Sequence, residues 1–309
     1  MPEKKTTSAG SHEGHRQRMK ERFLTGGLES FSGHEILEML LFYALPVLIV
    51  FVLAFKPVDP YGGIHDGWTL ATLQALGNPV YPAILLRTVW LSIFSTLICV
   101  LVAVPVSYQL CRLSEKLRTF VLLLIIVPFW TNFLIRIYAW KVFLHPDGAF
   151  KQILVFLGLI PQETMLLYNQ WAVLAVMVYT YLPYAILPVY AAAEKFDFAL
   201  LDAAKDLGAN SFQAFRKVFL PSISKGIWTA VMVVLIPALG AYLIPDLVGG
   251  PGSEMIGDKI AQSVFTERNL PQASALSAAL MILVFVPLLL ILWFRRLAEK
   301  AEKSVEKSL

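Results

Sequence analysis

Three carboxylates and an upstream group of aromatic residues are the side chains best suited to binding a ligand. Asp246 lies at the end of a long apolar run, and Glu254 and Asp258 follow it shortly afterwards. Carboxylates bind cations, and aromatic faces attract ammonium groups. The side chains of an earlier apolar run that could line the same path are Trp130, Asn132 and Tyr138, with Phe129 and Trp140 beside them. Together these residues predict a path for a flexible cation that carries several ammonium groups.

Other interpretations of the same residues remain open. The aromatic residues could form the belt that membrane proteins place at the lipid–water interface. Asp246 could form an internal salt bridge with Arg136, or it could cap the segment that follows Pro245. Arg136 opposes a cation path unless it pairs with an acidic residue or extends outward to the interface.

The sequence contains no comparable group of residues that would support catalysis. An intramembrane enzyme needs paired ionisable residues at matched depths, and the few ionisable residues within the apolar runs form no defensible pair. These residues are Arg87, Arg136, Lys141 and Asp246. No P-loop and no Ser/His/Asp arrangement occurs in the sequence. Cys99 and Cys111 are about 18 Å apart along one helix, which is too far for a disulfide. We therefore predict no catalytic residue, no cofactor and no metal site.

Long apolar runs must position the candidate residues. Of the 309 residues, 57% are hydrophobic and only 16% are charged, which is too little charge to cover a soluble domain of this size. Six runs are long enough to cross a bilayer core of about 30 Å, and they cover 36–55, 83–109, 120–144, 171–190, 226–248 and 273–294. The sequence thus predicts an all-α membrane protein with six transmembrane helices. Its parts are a tail (1–35), a transmembrane domain (36–294) and a second tail (295–309).

Lysine and arginine are distributed unequally between the two sides of the predicted membrane domain. They concentrate in both tails and in the second–third and fourth–fifth connections, whereas the other three connections hold only Lys56, Lys151, Lys259 and Arg268. Connections rich in Lys and Arg stay in the cytoplasm. We therefore predict that both termini are cytoplasmic. Because topology explains the basic excess, we predict no nucleic-acid partner.

The fourth–fifth connection, residues 194–225, is polar and helix-prone within this apolar chain. Asp197 can cap a first short helix, and Gly208 can adopt the left-handed conformation of a turn. Asn210 and Gln213 have the spacing of a capping box at the start of a second helix. Its apolar positions follow a helical stripe, and they are Phe212, Phe215, Val218 and Phe219. Pro221 is expected to end this helix.

The spacing within this connection is similar to the EAA loop of ABC-importer permeases. That pattern is Glu-Ala-Ala, three residues, Gly, nine residues, Ile, one residue and Leu-Pro. Here it reads Asp202-Ala203-Ala204, Gly208, Val218 and Leu220-Pro221, with two conservative departures, Asp for Glu and Val for Ile. We call residues 194–225 the EAA segment. The resemblance implies the all-α fold of type I importer (MetI-like) permeases. It also implies a coupling helix that docks on a cytoplasmic ATPase through Asp202, Ala203, Ala204, Gly208, Leu220 and Pro221.

Two further stretches resemble the spermidine/putrescine branch of these permeases, although permeases for other small solutes look similar. They are IVPFWTNFLIRIYAWKVFL (126–144) and LIPDLVGGPGSEMIGDKI (243–260). The resemblance implies a permease subunit in the inner membrane that imports polyamines without a cofactor of its own. Its implied partners are ABC ATPase subunits that bind ATP, a second permease subunit in a heterodimer, and an extracytoplasmic solute-binding protein. The alternative is a permease for another small solute.

Residues 11–46 resemble a different family. The stretch GHRQRMKERFLTGGLESFSGHEILEMLLFYALP is similar to the N-terminal helical region of RadC-like proteins, and the permease pattern takes over near Pro46. No function related to DNA is inferred from so short a segment.

Overall fold

The computed structural model describes residues 38, 40–59 and 62–286. Both predicted tails, most of segment 11–46 and the end of the sixth apolar run lie outside the described residues. The described part is helical, and its single β-type pairing is the isolated bridge between Val58 and Ile64. The prediction of an all-α chain is thus confirmed.

Thirteen helices follow one another in the described residues. In chain order they are α1 (Leu45–Leu53), α2 (Ala71–Ala75), α3 (Val80–Leu110), α4 (Glu115–Trp130), α5 (Phe133–Phe143), α6 (Ala149–Phe156), α7 (Gln170–Ala193), α8 (Ala199–Asp206), α9 (Ser211–Ser222), α10 (Ser224–Leu239), α11 (Leu243–Val248), α12 (Ile256–Phe265) and α13 (Leu270–Val286). A π-helical turn, Leu40–Ala44, precedes α1.

The centre of the molecule is formed by α3, α7 and α10, which pack against one another. Their contact surfaces are rich in small residues, and these let helix backbones approach closely in an apolar medium. Hydroxyl and thiol groups add contacts between helices: Ser107 Oγ donates to the Ile186 carbonyl and Cys99 Sγ to the Val178 carbonyl, each at 3.5 Å. Both cysteines are free, as predicted. The three helices therefore form the frame on which the shorter helices are arranged.

The predicted apolar runs do not all form continuous helices. By length and composition, α3 and α7 can each cross a membrane alone, and the described residues contain up to four spans if each bent helix pair counts as one. The third run is broken between α4 and α5, which meet at 96°. The prediction of one helix over 120–144 is therefore wrong. Asn132 lies at the break and caps the new helix, because its side chain accepts a hydrogen bond from Leu134 N at 2.8 Å.

The fifth apolar run, 226–248, is also interrupted, so it is not one continuous helix. The helix α10 ends at Leu239, and the short α11 begins at Leu243. Pro245 lies in the first turn of α11. A proline is tolerated there because the first N–H groups of a helix have no partner within the helix.

Candidate functional site

The EAA segment forms two helices joined by a tight turn, as its sequence predicts. The Asp197 carboxylate accepts a hydrogen bond from Ala199 N at 3.0 Å, at the start of α8. At the turn Gly208 has φ +91°, and a Cβ atom built there would meet no atom within 4 Å. Glycine is therefore favoured here by the backbone conformation and not by lack of space.

The predicted capping box at the start of α9 is present. The Asn210 side chain accepts from Gln213 N at 2.8 Å, and the Gln213 side chain accepts from Asn210 N at 3.1 Å. This reciprocal pair satisfies two of the N–H groups that a helix start leaves unpaired. The orientation of α9 relative to the turn is thus determined locally.

The helix α9 ends next to Pro221, as the sequence predicts, within the uncertainty of a helix end. The helix continues to Ser222, and α10 starts at Ser224 after a bend of 67°. A wider π-helical turn, Phe215–Phe219, ends two residues before the proline. Proline has no N–H and its ring crowds the preceding turn of a regular α-helix, so a locally wider helix accommodates Pro221.

The inner side of the EAA segment packs through what we call the aromatic cluster: Tyr108, Phe196, Phe198, Phe215 and Phe219. Phe219 is fully buried. The Tyr108 ring, at the end of α3, lies 5.0 Å from the Phe219 ring and 5.3 Å from the Phe215 ring. Edge-to-face aromatic pairs at such distances add to the free energy gained by burial. The aromatic cluster therefore joins the EAA segment to the central bundle.

The outer side of the EAA segment exposes apolar side chains. Leu207 is 90% exposed and Phe212 69% exposed, although Phe212 lies on the apolar stripe of α9. Ala203 and Gly208 are also exposed, whereas Ala204 is half-buried. Asp202 forms an exposed ion pair with Lys205 at 2.9 Å, and the lysine lowers the pKa of Asp202. Large apolar side chains at a polar turn favour contact with a partner protein.

The three carboxylates singled out in the sequence meet at one cavity of about 500 Å³. We call it the acidic cavity. Asp246 comes from α11, Asp258 from α12, and Glu254 from the segment between them. The aromatic side chains that line it are Tyr168, Tyr242 and Phe265. A cavity of this size and lining suits a small ligand with cationic groups.

Close backbone contacts form the wall of the acidic cavity. Tyr168 N donates to the Val248 carbonyl at 3.0 Å, and a Cβ atom on Gly250 would overlap the Tyr168 carbonyl oxygen. Outside the cavity lining, the buried Thr88 hydroxyl of α3 accepts a hydrogen bond from Ile256 N at 2.8 Å. It thereby satisfies an N–H at the start of α12, the helix that carries Asp258.

The acidic cavity keeps its negative charge. Of the nearby cations, Lys259 forms an ion pair with Glu267 at 2.9 Å and also donates to Gln262, and Arg87 donates to the Glu254 carbonyl oxygen at 3.4 Å. Within the described part of the chain, Asp246, Glu254 and Asp258 form no ion pair. Burial, followed by the charges of Asp246 and Glu254, raises the pKa of Asp258 to about 6. A bound cation would relieve this repulsion between like charges.

The predicted side chains of the third apolar run do not reach the acidic cavity. Trp130 is 80% exposed at the end of α4, Tyr138 is exposed on α5, and the Asn132 side chain caps α5. That these residues line a substrate path stays a prediction. Arg136 forms no ion pair with Asp246; its guanidinium lies 5.2 Å from the Phe129 ring centre. Arg136 therefore does not neutralise the acidic cavity.

Sequence reasoning missed several residues of both sites. Phe265 lies seven positions after Asp258, and Tyr242 lies four positions before Asp246, so helical periodicity could have identified both. Tyr168, Thr88 and Tyr108 come from distant parts of the chain. No local pattern indicates that they contact the residues singled out in the sequence.

Residues 100–303 match the family described as "Binding-protein-dependent transport system inner membrane component". The chain is 36% identical over 257 residues to the spermidine/putrescine transport system permease protein PotB of Haemophilus influenzae, covering 83% of this chain and 89% of that protein. It is 34% identical over 268 residues to PotB of Escherichia coli K12, covering 87% of this chain and 96% of that protein. Both matches extend over most of the two chains.

A solved structure has the same fold at low sequence identity. The bacterial alginate ABC transporter, determined in complex with an alginate pentasaccharide-bound periplasmic protein, aligns with a TM-score of 0.65. The alignment covers 92% of this chain and 96% of that chain at 17% identity. The arrangement of helices described above is thus that of an ABC-importer permease.

Proposed function

Because the chain belongs to the family of inner membrane components of binding-protein-dependent transport systems, we propose that it is a permease subunit of an ATP-driven importer of polyamines. The single observation that supports polyamines as the substrate is the sequence identity of 34–36% to spermidine/putrescine permeases. The acidic cavity supports it chemically. The chain is a transport subunit and not an enzyme, and ATP hydrolysis belongs to a partner.

Polyamines suit the acidic cavity because charge and apolar surface alternate along their length. Ammonium groups would bind the carboxylates of Asp246, Glu254 and Asp258, while the rings of Tyr168 and Tyr242 would cover the methylene chain between them. Hydrogen bonds that involve a charged group contribute about 1.5–3 kcal/mol each. Three carboxylates therefore favour a cation with several ammonium groups over one with a single charge.

Energy for transport would enter through the EAA segment. The exposed side chains Leu207 and Phe212 supply apolar contact with the ATPase, and the turn at Gly208 lets that surface approach closely. ATP-driven closure of the ATPase pair would move the EAA segment, and the aromatic cluster would pass this motion to α3. A second permease subunit and an extracytoplasmic solute-binding protein complete the proposed assembly. Alternating access of this kind needs bistable packing between helices.

The proposed assembly requires a particular orientation, with the EAA segment and both termini in the cytoplasm. The Lys and Arg distribution supports it, and the acidic cavity would then open on the extracytoplasmic side. Single cysteines introduced after residues 65, 115, 160, 210 and 260 should react with a membrane-impermeant reagent at 65, 160 and 260 only. A reactive cysteine after residue 210 in intact cells would contradict the orientation.

Uptake by a reconstituted complex tests the proposed function. We expect proteoliposomes with the permease pair and the ATPase, supplied with the binding protein, to accumulate labelled spermidine when ATP is present. Uptake should also fall as the external pH drops through 6, because protonation of Asp258 removes one of the three charges. Asp258→Asn should flatten this pH dependence. Uptake of another small solute with no competition from spermidine or putrescine would refute the polyamine assignment.

A further inference from the structure

We propose that Thr88 is a positioning residue through which movement of the EAA segment reaches the acidic cavity, with α3 as the connecting element. The inference rests on the proposed transport function, because it assumes that the EAA segment moves when ATP binds to a partner. Two contacts at opposite ends of α3 would control the spacing of the carboxylates around the acidic cavity.

The first contact is at the cytoplasmic end of α3. The Tyr108 ring packs edge-to-face against Phe215 and Phe219 of the EAA segment, at centre distances of 5.3 and 5.0 Å, and lies 6.0 Å from Phe198. The guanidinium of Arg112 covers the Tyr108 ring at 4.7 Å. Because aromatic rings on several sides hold Tyr108, the EAA segment cannot shift without displacing this ring or repacking around it.

The second contact is at the opposite end of the same helix. Thr88 is fully buried, and its hydroxyl both donates to the Ile84 carbonyl and accepts from Ile256 N, each at 2.8 Å. Ile256 is also fully buried, so its N–H has no access to water as an alternative partner. Ile256 is the first residue of α12. The position of α12, and with it that of Asp258, is therefore tied to Thr88.

A single helix joins the two contacts. The helix α3 extends from Val80 to Leu110 with Pro105 in its interior, and twenty residues of α-helix between Thr88 and Tyr108 span about 30 Å. Pro105 removes one backbone hydrogen bond in the turn before Tyr108, but the helix continues on both sides of it, so a displacement along the axis still passes from one end to the other. A push on Tyr108 from the EAA segment would thus move the start of α12 and change the spacing of the carboxylates around the acidic cavity.

Loss of the Thr88 hydroxyl should uncouple transport from ATP hydrolysis. Thr88→Val keeps the shape of the side chain but leaves Ile256 N without an acceptor. In proteoliposomes we expect the spermidine transported per ATP hydrolysed to fall about tenfold, since the hydrogen bond that holds α12 is lost. ATP hydrolysis stimulated by the binding protein should stay within about twofold of wild type, because the EAA segment is unchanged. A wild-type ratio in Thr88→Val would overturn the proposal.

Two control variants separate this role from general stability. Thr88→Ser retains the hydroxyl and should keep the wild-type ratio of spermidine transported to ATP hydrolysed. Thr96→Val makes the same change two turns further along α3, where the Thr96 hydroxyl donates only to Ser92 O of its own helix at 2.7 Å. It should leave the ratio unchanged. A fall of equal size in Thr96→Val would show that any buried hydroxyl of α3 matters, and it would overturn the assignment to Thr88.

The opposite end of α3 provides a second test. Tyr108→Leu should lower the same ratio, whereas Tyr108→Phe keeps the ring and should not. If both contacts belong to one path, the double variant Tyr108→Leu/Thr88→Val should be no worse than the more impaired single variant. Losses that multiply in the double variant would show two independent effects and contradict the connection through α3.

A measurement without solute distinguishes failure of this inference from failure of the proposed function. Ala261 lines the acidic cavity on α12, and Ala261→Cys introduces a thiol there for an impermeant reagent. Trapping the ATPase with ATP and vanadate should change the labelling rate in the wild-type and Thr88→Ser backgrounds but not in Thr88→Val. An equal change in Thr88→Val would overturn the inference even if the imported solute is not a polyamine.

Discussion

Asp246→Asn is expected to lower polyamine uptake by about ten- to a hundredfold, which corresponds to the loss of one charged hydrogen bond. The side chain is exposed to the acidic cavity and forms no ion pair among the described residues, so its charge is available to a ligand. Because Asn has nearly the same shape, assembly and ATP hydrolysis stimulated by the binding protein should be retained. Labelled spermidine uptake at equal membrane expression measures the effect.

Glu163→Gln is the matched control for Asp246→Asn. Glu163 is exposed on the same proposed side of the membrane but does not line the acidic cavity. Its neutralisation should leave uptake unchanged and so separates local binding from a general loss of negative surface charge. If Asp246 instead has a structural role, Asp246→Asn should be poorly assembled. Wild-type uptake by well-expressed Asp246→Asn would exclude Asp246 from substrate binding.

Gly208→Val is expected to abolish transport while leaving membrane insertion intact. At φ +91° a residue with a Cβ atom is strained by about 1–2 kcal/mol, and β-branched residues tolerate this region least. The turn would shift and displace Leu207 and Phe212, which we propose to contact the ATPase. Co-purification of the ATPase with the permease should weaken in parallel with the loss of uptake.

Gly158→Val and Gly208→Asn separate the causes of this effect. Gly158 also has a positive φ, +69°, and open space around its Cβ position, but it lies far from the EAA segment in the sequence. The same strain there should leave ATPase association unchanged. Asparagine tolerates positive φ better than valine, so Gly208→Asn should retain part of the coupling. Normal uptake by Gly208→Val at normal expression would show that the EAA segment does not couple as proposed.

Local features of this protein could be predicted from the sequence because they depend on residues within a few helical turns. Apolar composition was sufficient to predict helices, and the Asn210–Gln213 spacing was sufficient to predict the capping box. The turn at Gly208 follows from the conformational freedom of one residue. The shared location of Glu254 and Asp258 also follows from their proximity in the chain.

The interruptions of the apolar helices and the inner and outer sides of the EAA segment were harder to predict. The caps and short breaks near Asn132 and Gly240 decide where the helices end, whereas hydropathy averaged over a span does not register them. Phe212 and Phe215 belong to the same amphipathic stripe. Only the packing of α3 against the EAA segment determines that Phe215 is covered and Phe212 is exposed.

The acidic cavity and its connection to the EAA segment were decided by tertiary structure. Tyr168 reaches the cavity because Gly250 allows its backbone to approach, and Thr88 holds α12 from a helix distant in sequence. Such contacts depend on how whole helices pack, and the packing depends on the shapes of many side chains together. The sequence by itself therefore determined the helices and the acidic and EAA motifs, whereas the packing of α3 determined which residues connect them.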